Sequence, residues 1–430
     1  MWYVDAPKPV SITHADQTQS GVETHVEEVT MTGSIDGLEM FSSPEKGRGL
    51  RVSRGFSVGE LLFSCPAYSS VLSVTERGSC CDLCFRRKQG LARCGKCKKA
   101  FYCNASCQKA DWAMHKLECS AMVAFGENWC PSETSRLVAR ILAKKKLQKE
   151  RCDSEKILLI GEMQSHLEDE DNEKKEKTEA DIAGLSRFFS KHLEVPSHRD
   201  LLTLFSQVAC NGFTIEDDEL SHMGTAVYPD VALINHSCLP SVIVTFNGTK
   251  AEVRAVQDMK PGDEVLISYI DLLYPTDDRN SRLRESYYFT CKCPECQKKS
   301  KDKVKLKSAP PSELLEMCEQ SLEEMGAVFE DSNVYVLHMM YQAMGVCIYM
   351  QDADGALRYG EKLARYYSKL YPPYSLNVSS LYLKLGRIYM AMGRHSEGIK
   401  ALTKAITIME VAHGKDHQYL EDIRKELTQK

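Results

Sequence analysis

The sequence lacks any apolar run approaching the ~20 consecutive residues that a membrane helix needs, so no membrane span is expected. Its opening stretch, "MWYVDAPKPVSITHADQTQS", lacks the basic start and apolar core of a secretory signal, and none is expected. Excess positive charge is absent as well. The 55 Lys and Arg stand against 60 Asp and Glu, a net charge of −5, which argues against general nucleic-acid binding and leaves room for a local basic patch. What remains is ordinary for a soluble globular protein: 43% hydrophobic residues and 27% charged. At 430 residues, a chain of roughly two to four domains is expected.

Cysteine, by contrast, is plentiful. There are 18, and ten of them fall in two tight groups, residues 81–119 and 291–296. In a reducing compartment, clustering of this kind points to metal ligation more than to disulfides.

Residues 1–36 are polar and without periodicity, and read as disordered. "SSPEKGRGLRVSRGFSVGELLFS" is a Gly/Pro turn followed by short strands. Residues 131–210 read as helices, with "TSRLVARILAKKKLQ" carrying apolar residues at helical spacing. "LEDEDNEKKEKTEAD" is most simply a solvated surface. "SVIVTFNGTKAEVRAV" predicts a hairpin turning at Asn247-Gly248, and "GDEVLISYI" a further strand. From about residue 312 the chain is helical, with two related phrases, "YQAMGVCIYMQDADGAL" and "YLKLGRIYMAMGRHSEGI", spaced like tetratricopeptide hairpins. A plain helical bundle is the blander alternative.

The first cysteine group reads Cys81-x2-Cys84-x9-Cys94-x2-Cys97-x5-Cys103-x3-Cys107-x7-His115-x3-Cys119. Eight ligands suffice for two closed tetrahedral zinc sites, which would supply the folding energy that so short a loop cannot bury. Cys80 competes with Cys81, but the two-residue gap to Cys84 favours Cys81. Closed sites do no chemistry, so this module serves structure and binding. Arg86, Arg87, Lys88, Lys96, Lys98 and Lys99 either offer a contact face or only solvate it.

"LINHSCLP" sets His236 beside Cys238 in apolar company. The pair could be a base and its nucleophile, metal ligands, or satisfied core residues. Far along the chain, "CKCPEC" supplies Cys291, Cys293 and Cys296, three ligands short of a tetrahedral fourth, and Cys238 is the best unpaired candidate. Cys210 and the other non-ligand cysteines read as small core hydrophobes.

The ligand order of the first group resembles the MYND zinc finger, in which alternate pairs share a metal. That resemblance gives one zinc to Cys81, Cys84, Cys103 and Cys107, and another to Cys94, Cys97, His115 and Cys119. "KGRG" at 46–49, "NHSC" at 235–238, "GDEVLISY" at 262–269 and "CKCPEC" at 291–296 resemble, in order, the motifs of SET-domain lysine methyltransferases. Together with the finger and the helical C-terminal part, they resemble the SET-and-MYND-domain protein lysine methyltransferase family over about residues 38–430.

The resemblance implies an α+β fold with a SET β core, interrupted by the finger and a helical insert. A zinc-bound post-SET tail and a tetratricopeptide-like α-helical lobe would follow. The corresponding divisions are 1–36 (extension), 37–77 (first SET part), 78–121 (finger), 122–212 (insert), 213–275 (catalytic core), 276–300 (post-SET) and 301–430 (lobe). It implies transfer of a methyl group from S-adenosylmethionine to lysine, most simply monomethylation, and three zinc ions.

By the same resemblance Lys46, Gly47, Arg48, His166, Asn211, Asn235 and His236 contact the cofactor, and Phe289 stacks on its adenine. Tyr269 stands at the transfer point, and Tyr287 lines the lysine channel beside the cofactor. Leu273 and Tyr274 border the peptide groove. Cys238, Cys291, Cys293 and Cys296 hold the third zinc and lock the tail over the core. Expected partners are histone tails, non-histone regulators and chaperones, with a Pro-rich peptide or nucleic acid at the finger. A monomer in cytoplasm and nucleus is expected.

Two departures stand out: the N-terminal lead has no family match, and a helical stretch after "CPECQKKSKDKVK" is missing. The competing readings are a catalytically silent adaptor and a cysteine hydrolase using Cys238.

Overall fold

The computed structural model describes residues 34–191, 193–299, 322–323 and 331–428. The disorder expected for the N-terminal lead therefore lies outside the described residues, apart from 34–36, where Ile35 already joins the core. The beginning of the expected helical lobe, 301–321 and 324–330, lies outside them too.

Strands β1 (Leu38–Ser43) and β2 (Gly47–Val52) form an antiparallel hairpin. β3 (Leu61–Pro66) is followed by β4 (Ser69–Leu72). The finger contributes β5 (Ala92–Arg93), β6 (Phe101–Tyr102) and the helix α1 (Ala105–Phe125). Helices α2 (Glu133–Leu147), α3 (Asn172–Phe189) and α4 (His198–Asn211) make the insert. The core then resumes with β7 (Gly212–Glu216), β8 (His222–Val227), the short α5 (Pro229–Ala232), β9 (Asn235–His236), β10 (Val242–Asn247), β11 (Lys250–Ala255) and β12 (Leu266–Ile267). Helices α6 (Thr276–Tyr287) and α7 (Pro294–Lys298) carry the tail. The C-terminal lobe is α8 (Val334–Tyr349), α9 (Ala353–Leu370), α10 (Leu376–Ala391), α11 (His395–His413) and α12 (Gln418–Thr428).

The core strands form several small sheets: β10-β11-β3, β4-β8-β7, β1-β2, and the parallel pair β9 with β12. Alternation decides their faces. In β11, Ala251, Val253 and Ala255 point inward while the residues between them stay at least partly exposed. One apolar core runs beneath strands, finger and insert; the C-terminal helices enclose cores of their own.

Two expectations need correcting in detail. The hairpin exists, but Asn247 pairs with Lys250, so the turn residues are Gly248 and Thr249, one position later than predicted. Gly248 has φ +61°, and a Cβ there would lie 2.5 Å from the Cys84 carbonyl, so glycine is needed where the hairpin meets the finger. "GDEVLISYI" pairs as a strand only at Leu266–Ile267. Before it, Glu264 makes a single antiparallel bridge to Arg51 of β2, with Val265 N–H donating to the Leu50 carbonyl, and the Leu266 N–H goes to Ser241 Oγ.

The finger is fixed to the insert by buried charge. The α2 face bearing Leu137, Val138 and Ile141 also buries Arg136 and Arg140. Arg136 Nε lies 2.5 Å from Glu118 Oε1 and donates through Nη1 to the Leu72 carbonyl at 2.7 Å. Arg140 meets Asp111 Oδ1 at 3.0 Å and Glu118 Oε2 at 2.8 Å. Tyr102 donates its hydroxyl to Asp111 Oδ2 at 2.9 Å. Burial raises the Glu118 carboxyl, but the two guanidiniums outweigh it and hold the group far below its usual range. The finger helix, the insert helix and a core strand thus share one charge network.

Removing one partner strands the rest in a low dielectric. Glu118→Ala is expected to destabilise the protein by about 3–5 kcal/mol, read as a lowered thermal or urea midpoint. An unchanged midpoint would show that the network does not hold finger to insert.

Candidate active site and metal centres

The donor sets come first, because they position the rest. A tetrahedron with Zn–S bonds of about 2.3 Å has edges of about 3.8 Å, whereas a disulfide would bring two sulfurs to about 2.05 Å. Cys84 and Cys103 sulfurs are 3.7 Å apart, Cys94 and Cys119 3.8 Å, and Cys238 and Cys296 3.5 Å. Cys97 Sγ lies 3.5 Å from His115 Nε2.

The structure brings together Cys81, Cys84, Cys103, Cys107; then Cys94, Cys97, His115, Cys119; then Cys238, Cys291, Cys293, Cys296. Each set has its ligand atoms within 4.8 Å of one another. Their chemistry fits three closed zinc sites. Cys80 stays outside, its thiol turned to Glu76 Oε2 at 3.5 Å. Of the other cysteines, Cys65 and Cys347 are buried as expected for small hydrophobes, but Cys130 is exposed, because it sits between helices in the loop before α2.

The third set contains a residue that the sequence did not reveal. Arg279, fully buried in α6, donates through Nε to Cys238 Sγ at 3.3 Å and through Nη2 to Cys296 Sγ at 3.6 Å. Four thiolates around a dication leave two negative charges, and Arg279 offsets one. The thiolates keep the guanidinium protonated against its burial. In "TDDRNSRLRE" this arginine looks like any other on a solvated helix, so no local signal marked it.

The parallel pairing of β9 and β12 places His236 beside Ile267. The Tyr269 N–H donates to His236 Nδ1 at 3.0 Å, so the ring proton must sit on Nε2, which faces Cys238 Sγ at 3.4 Å. Burial pushes the imidazole pKa down to about 4, so it is neutral. With its base nitrogen already bonded and its partner sulfur in a metal set, this pair is not arranged as a base and its nucleophile.

An aromatic cluster spans the tail and the core. Ring centroids of His236 and Tyr269 are 5.3 Å apart, Tyr269 and Tyr287 4.8 Å, and His236 and Phe289 5.9 Å. The Tyr269 hydroxyl donates to the Ile234 carbonyl at 2.6 Å. Burial raises both phenols, so they stay neutral.

Lys46, Gly47, Arg48 and Asn235 are gathered by two groups absent from the expected set. Glu264 Oε1 accepts from Asn235 Nδ2 at 3.0 Å, and its Oε2 pairs with Lys46 Nζ. The Glu162 carbonyl accepts from Arg48 at 2.6 Å. Gly47 has φ +70° at an exposed turn, and the space where a Cβ would stand is open. Asn211, at the end of α4, donates to the Gln164 and Gln207 carbonyls, both at 2.8 Å, and so holds the segment leading to His166. His166 stacks on Tyr288 at 4.9 Å. These residues fit an expected cofactor in donor chemistry and open space.

A cleft of about 810 Å³ lies between the core and the C-terminal helices. Tyr269, Tyr287 and Asn211 line it, opposite Tyr341, Tyr367 and Tyr371. Glu216, Glu219 and Asp271 are among its lining residues, which include no Lys or Arg, and Glu219 is paired with Arg387. Lys46, Gly47, Arg48, His166, Asn235, His236 and Phe289 are not part of this lining. Leu273 is buried in the core of the lobe and Tyr274 bonds His338 at 3.1 Å; the cleft lining includes Asp271, Leu272 and His338 but neither Leu273 nor Tyr274.

Comparison with known proteins follows the same outline. The family model for the MYND finger matches residues 81–119. The chain is 63% identical over 423 residues to the N-lysine methyltransferase SMYD2 of Gallus gallus, covering 91% of this chain and 97% of the relative. It is 60% identical over 425 residues to the Homo sapiens SMYD2, covering 91% and 98%. Because 91% of 430 residues is about 391, the 423 aligned positions include about 32 that the chicken relative fills and this chain does not. Among solved structures, the SET domain of LSMT bound to lysine and AdoHcy is similar at TM-score 0.38 and 12% identity, covering 91% of this chain and 87% of that one.

Metal analysis of the purified protein is expected to find three zinc ions. Arg279→Gln is expected to weaken the third site alone, by about 10–100-fold, measured by competition with a chelator. Equal loss from all three sites, or no loss, would deny Arg279 its place beside the thiolates.

Proposed function

The chain belongs to the SET-and-MYND-domain protein lysine methyltransferases, and we propose that it moves a methyl group from S-adenosylmethionine to lysine side chains of proteins. The observation that carries this reading is the cluster of Tyr269, Tyr287 and Phe289 against His236, with Tyr269 and Tyr287 lining the cleft.

When bound, S-adenosylmethionine supplies an electrophilic methyl group on a sulfonium. The residues that would hold it are Lys46, Gly47, Arg48, Asn211, Asn235 and His236, with Phe289 at the adenine and His166 at the edge of the insert. Glu264 keeps Lys46 and Asn235 in register. The chain's remaining work is to present a neutral amine in line and dry, since the donor is already activated.

The acidic lining draws a lysine-bearing segment into the cleft. Tyrosine walls then disfavour the ammonium form by removing water. The proton of Tyr269 is committed to the Ile234 carbonyl, so its oxygen meets a substrate only as an acceptor. It can therefore orient the N–H bonds of the amine and stabilise positive charge near the transferring carbon. Tyr287 crowds the same point, which supports monomethylation.

The acidic cleft suits the basic segments of histone tails, non-histone regulators and chaperones, and a part in transcription would follow from the first. The partly exposed Trp112, beside the finger ligand His115, offers an aromatic face to a Pro-rich peptide. Thiols gathered in metal sets, with no disulfide among the described residues, support a reducing compartment: cytoplasm and nucleus.

With labelled cofactor and a panel of lysine-rich proteins, the wild type is expected to transfer label to lysine. Tyr269→Phe should lower the rate by about 10²–10³-fold while cofactor affinity holds. A wild-type protein that binds the cofactor and labels nothing across the panel would overturn this function.

A further inference from the structure

We propose that Asp218, His413 and His417 form a fourth metal site, for a divalent transition metal such as zinc, which clasps the C-terminal helices to the β7–β8 loop. It is separate from the three cysteine-rich sets and does not depend on the reaction proposed above.

The three side chains come from distant parts of the chain. Asp218 sits in the loop between β7 and β8, His413 ends α11, and His417 precedes α12. Their ligand atoms lie within 4.8 Å of one another. Asp218 Oδ1 is 3.8 Å from His413 Nδ1 and 3.9 Å from His417 Nδ1. These gaps are too long for hydrogen bonds, which end near 3.2 Å for N–H···O. They are a few tenths of an ångström wider than the edge of about 3.4 Å expected around zinc with N and O ligands. The two imidazoles stand 5.0 Å apart between centroids.

The polar accounting points the same way. His417 Nδ1, the atom that faces Asp218 Oδ1, is buried with no hydrogen-bond partner among the described residues. Unsatisfied buried nitrogens are costly and rare in native proteins. An imidazole binds a metal ion in its neutral form. The nearest cation, Arg254, is paired with Glu252 at 2.9 Å, which limits its repulsion of an incoming ion. Asp218 is 27% exposed, so the site has an entrance. Two imidazoles and one carboxylate suit zinc and leave a position for water.

The neighbouring contacts show what an ion would do. Glu219, on the same loop, bonds Arg387 and Tyr419, both at 2.8 Å, and Arg387 meets Glu426 at 2.9 Å. Glu216, Glu219 and Leu220 also line the substrate cleft. An ion on Asp218 would add a second tie at the same point and fix the rim of that cleft to the lobe.

The test uses the full-length protein with its three tightly held zincs in place, titrated with Zn²⁺ by calorimetry and followed by thermal melting. The wild type is expected to take up one further equivalent and to melt higher as it does. His413→Gln, His417→Gln and Asp218→Asn should each lose that equivalent and the rise in melting temperature while keeping three zincs. Asp218→Asn preserves size and hydrogen bonding, so it decides the matter should a histidine variant fail to fold. No extra equivalent in the wild type, or one that persists in Asp218→Asn and His417→Gln, overturns the proposal.

Discussion

Four thiolates closing on one point impose the constraint from which the site follows. Cys238 belongs to the core, three residues past the start of β9, while Cys291, Cys293 and Cys296 belong to the tail. Bringing them within reach of a single ion leaves the intervening α6 little freedom. It buries Arg279 against the sulfurs and carries Tyr287 and Phe289 back over Tyr269 and His236. The His236 ring then spans both sides of the arrangement. One nitrogen accepts from the Tyr269 backbone, and the other faces a metal-set sulfur. Metal ligation and the aromatic wall are thus parts of one local structure.

The same logic of long-range ties recurs elsewhere, with different chemistry. Glu118 and Asp111 of the finger helix are held by Arg136 and Arg140 of the insert, deep in the interior, where an unpaired charge is strongly disfavoured. Glu264 ties the turn before β2 to β9. Glu219 ties the β7–β8 loop to the lobe. Each tie joins segments that small sheets alone would orient poorly, because several strands here contribute only two residues to a ladder.

Much of this was legible in the sequence where chemistry demands fixed spacing. The cysteine and histidine intervals named the eight ligands of the finger because a short loop must present ligands at close, regular steps, and the resemblance to the MYND finger divided them into two sets. The fourth ligand of the third set could be found by counting to four. Helix α2 showed itself through apolar periodicity, and α8–α11 through the spacing of two related phrases. Residues that act by meeting a distant partner were not legible. Arg279 and Glu264 carry no local mark, since an arginine on a polar helix and a glutamate in a turn are ordinary. Asp218, His413 and His417 are separated by nearly half the chain. The strand limits of "GDEVLISYI" were missed because the segment divides its backbone bonds between a single bridge to β2, Ser241 Oγ and the short pairing with β9. The burial of Leu273 was not legible because the lobe that covers it could not be docked from sequence alone.

The dependence of the catalytic wall on the tail's metal set is most directly measured in Cys293→Ser, by cofactor affinity and methyl-transfer rate together. Release of Tyr287 and Phe289 should lower both, with one zinc lost and the two finger zincs retained. A variant that has lost that zinc, yet binds the cofactor and transfers methyl groups like the wild type, would contradict the coupling of metal centre to active site.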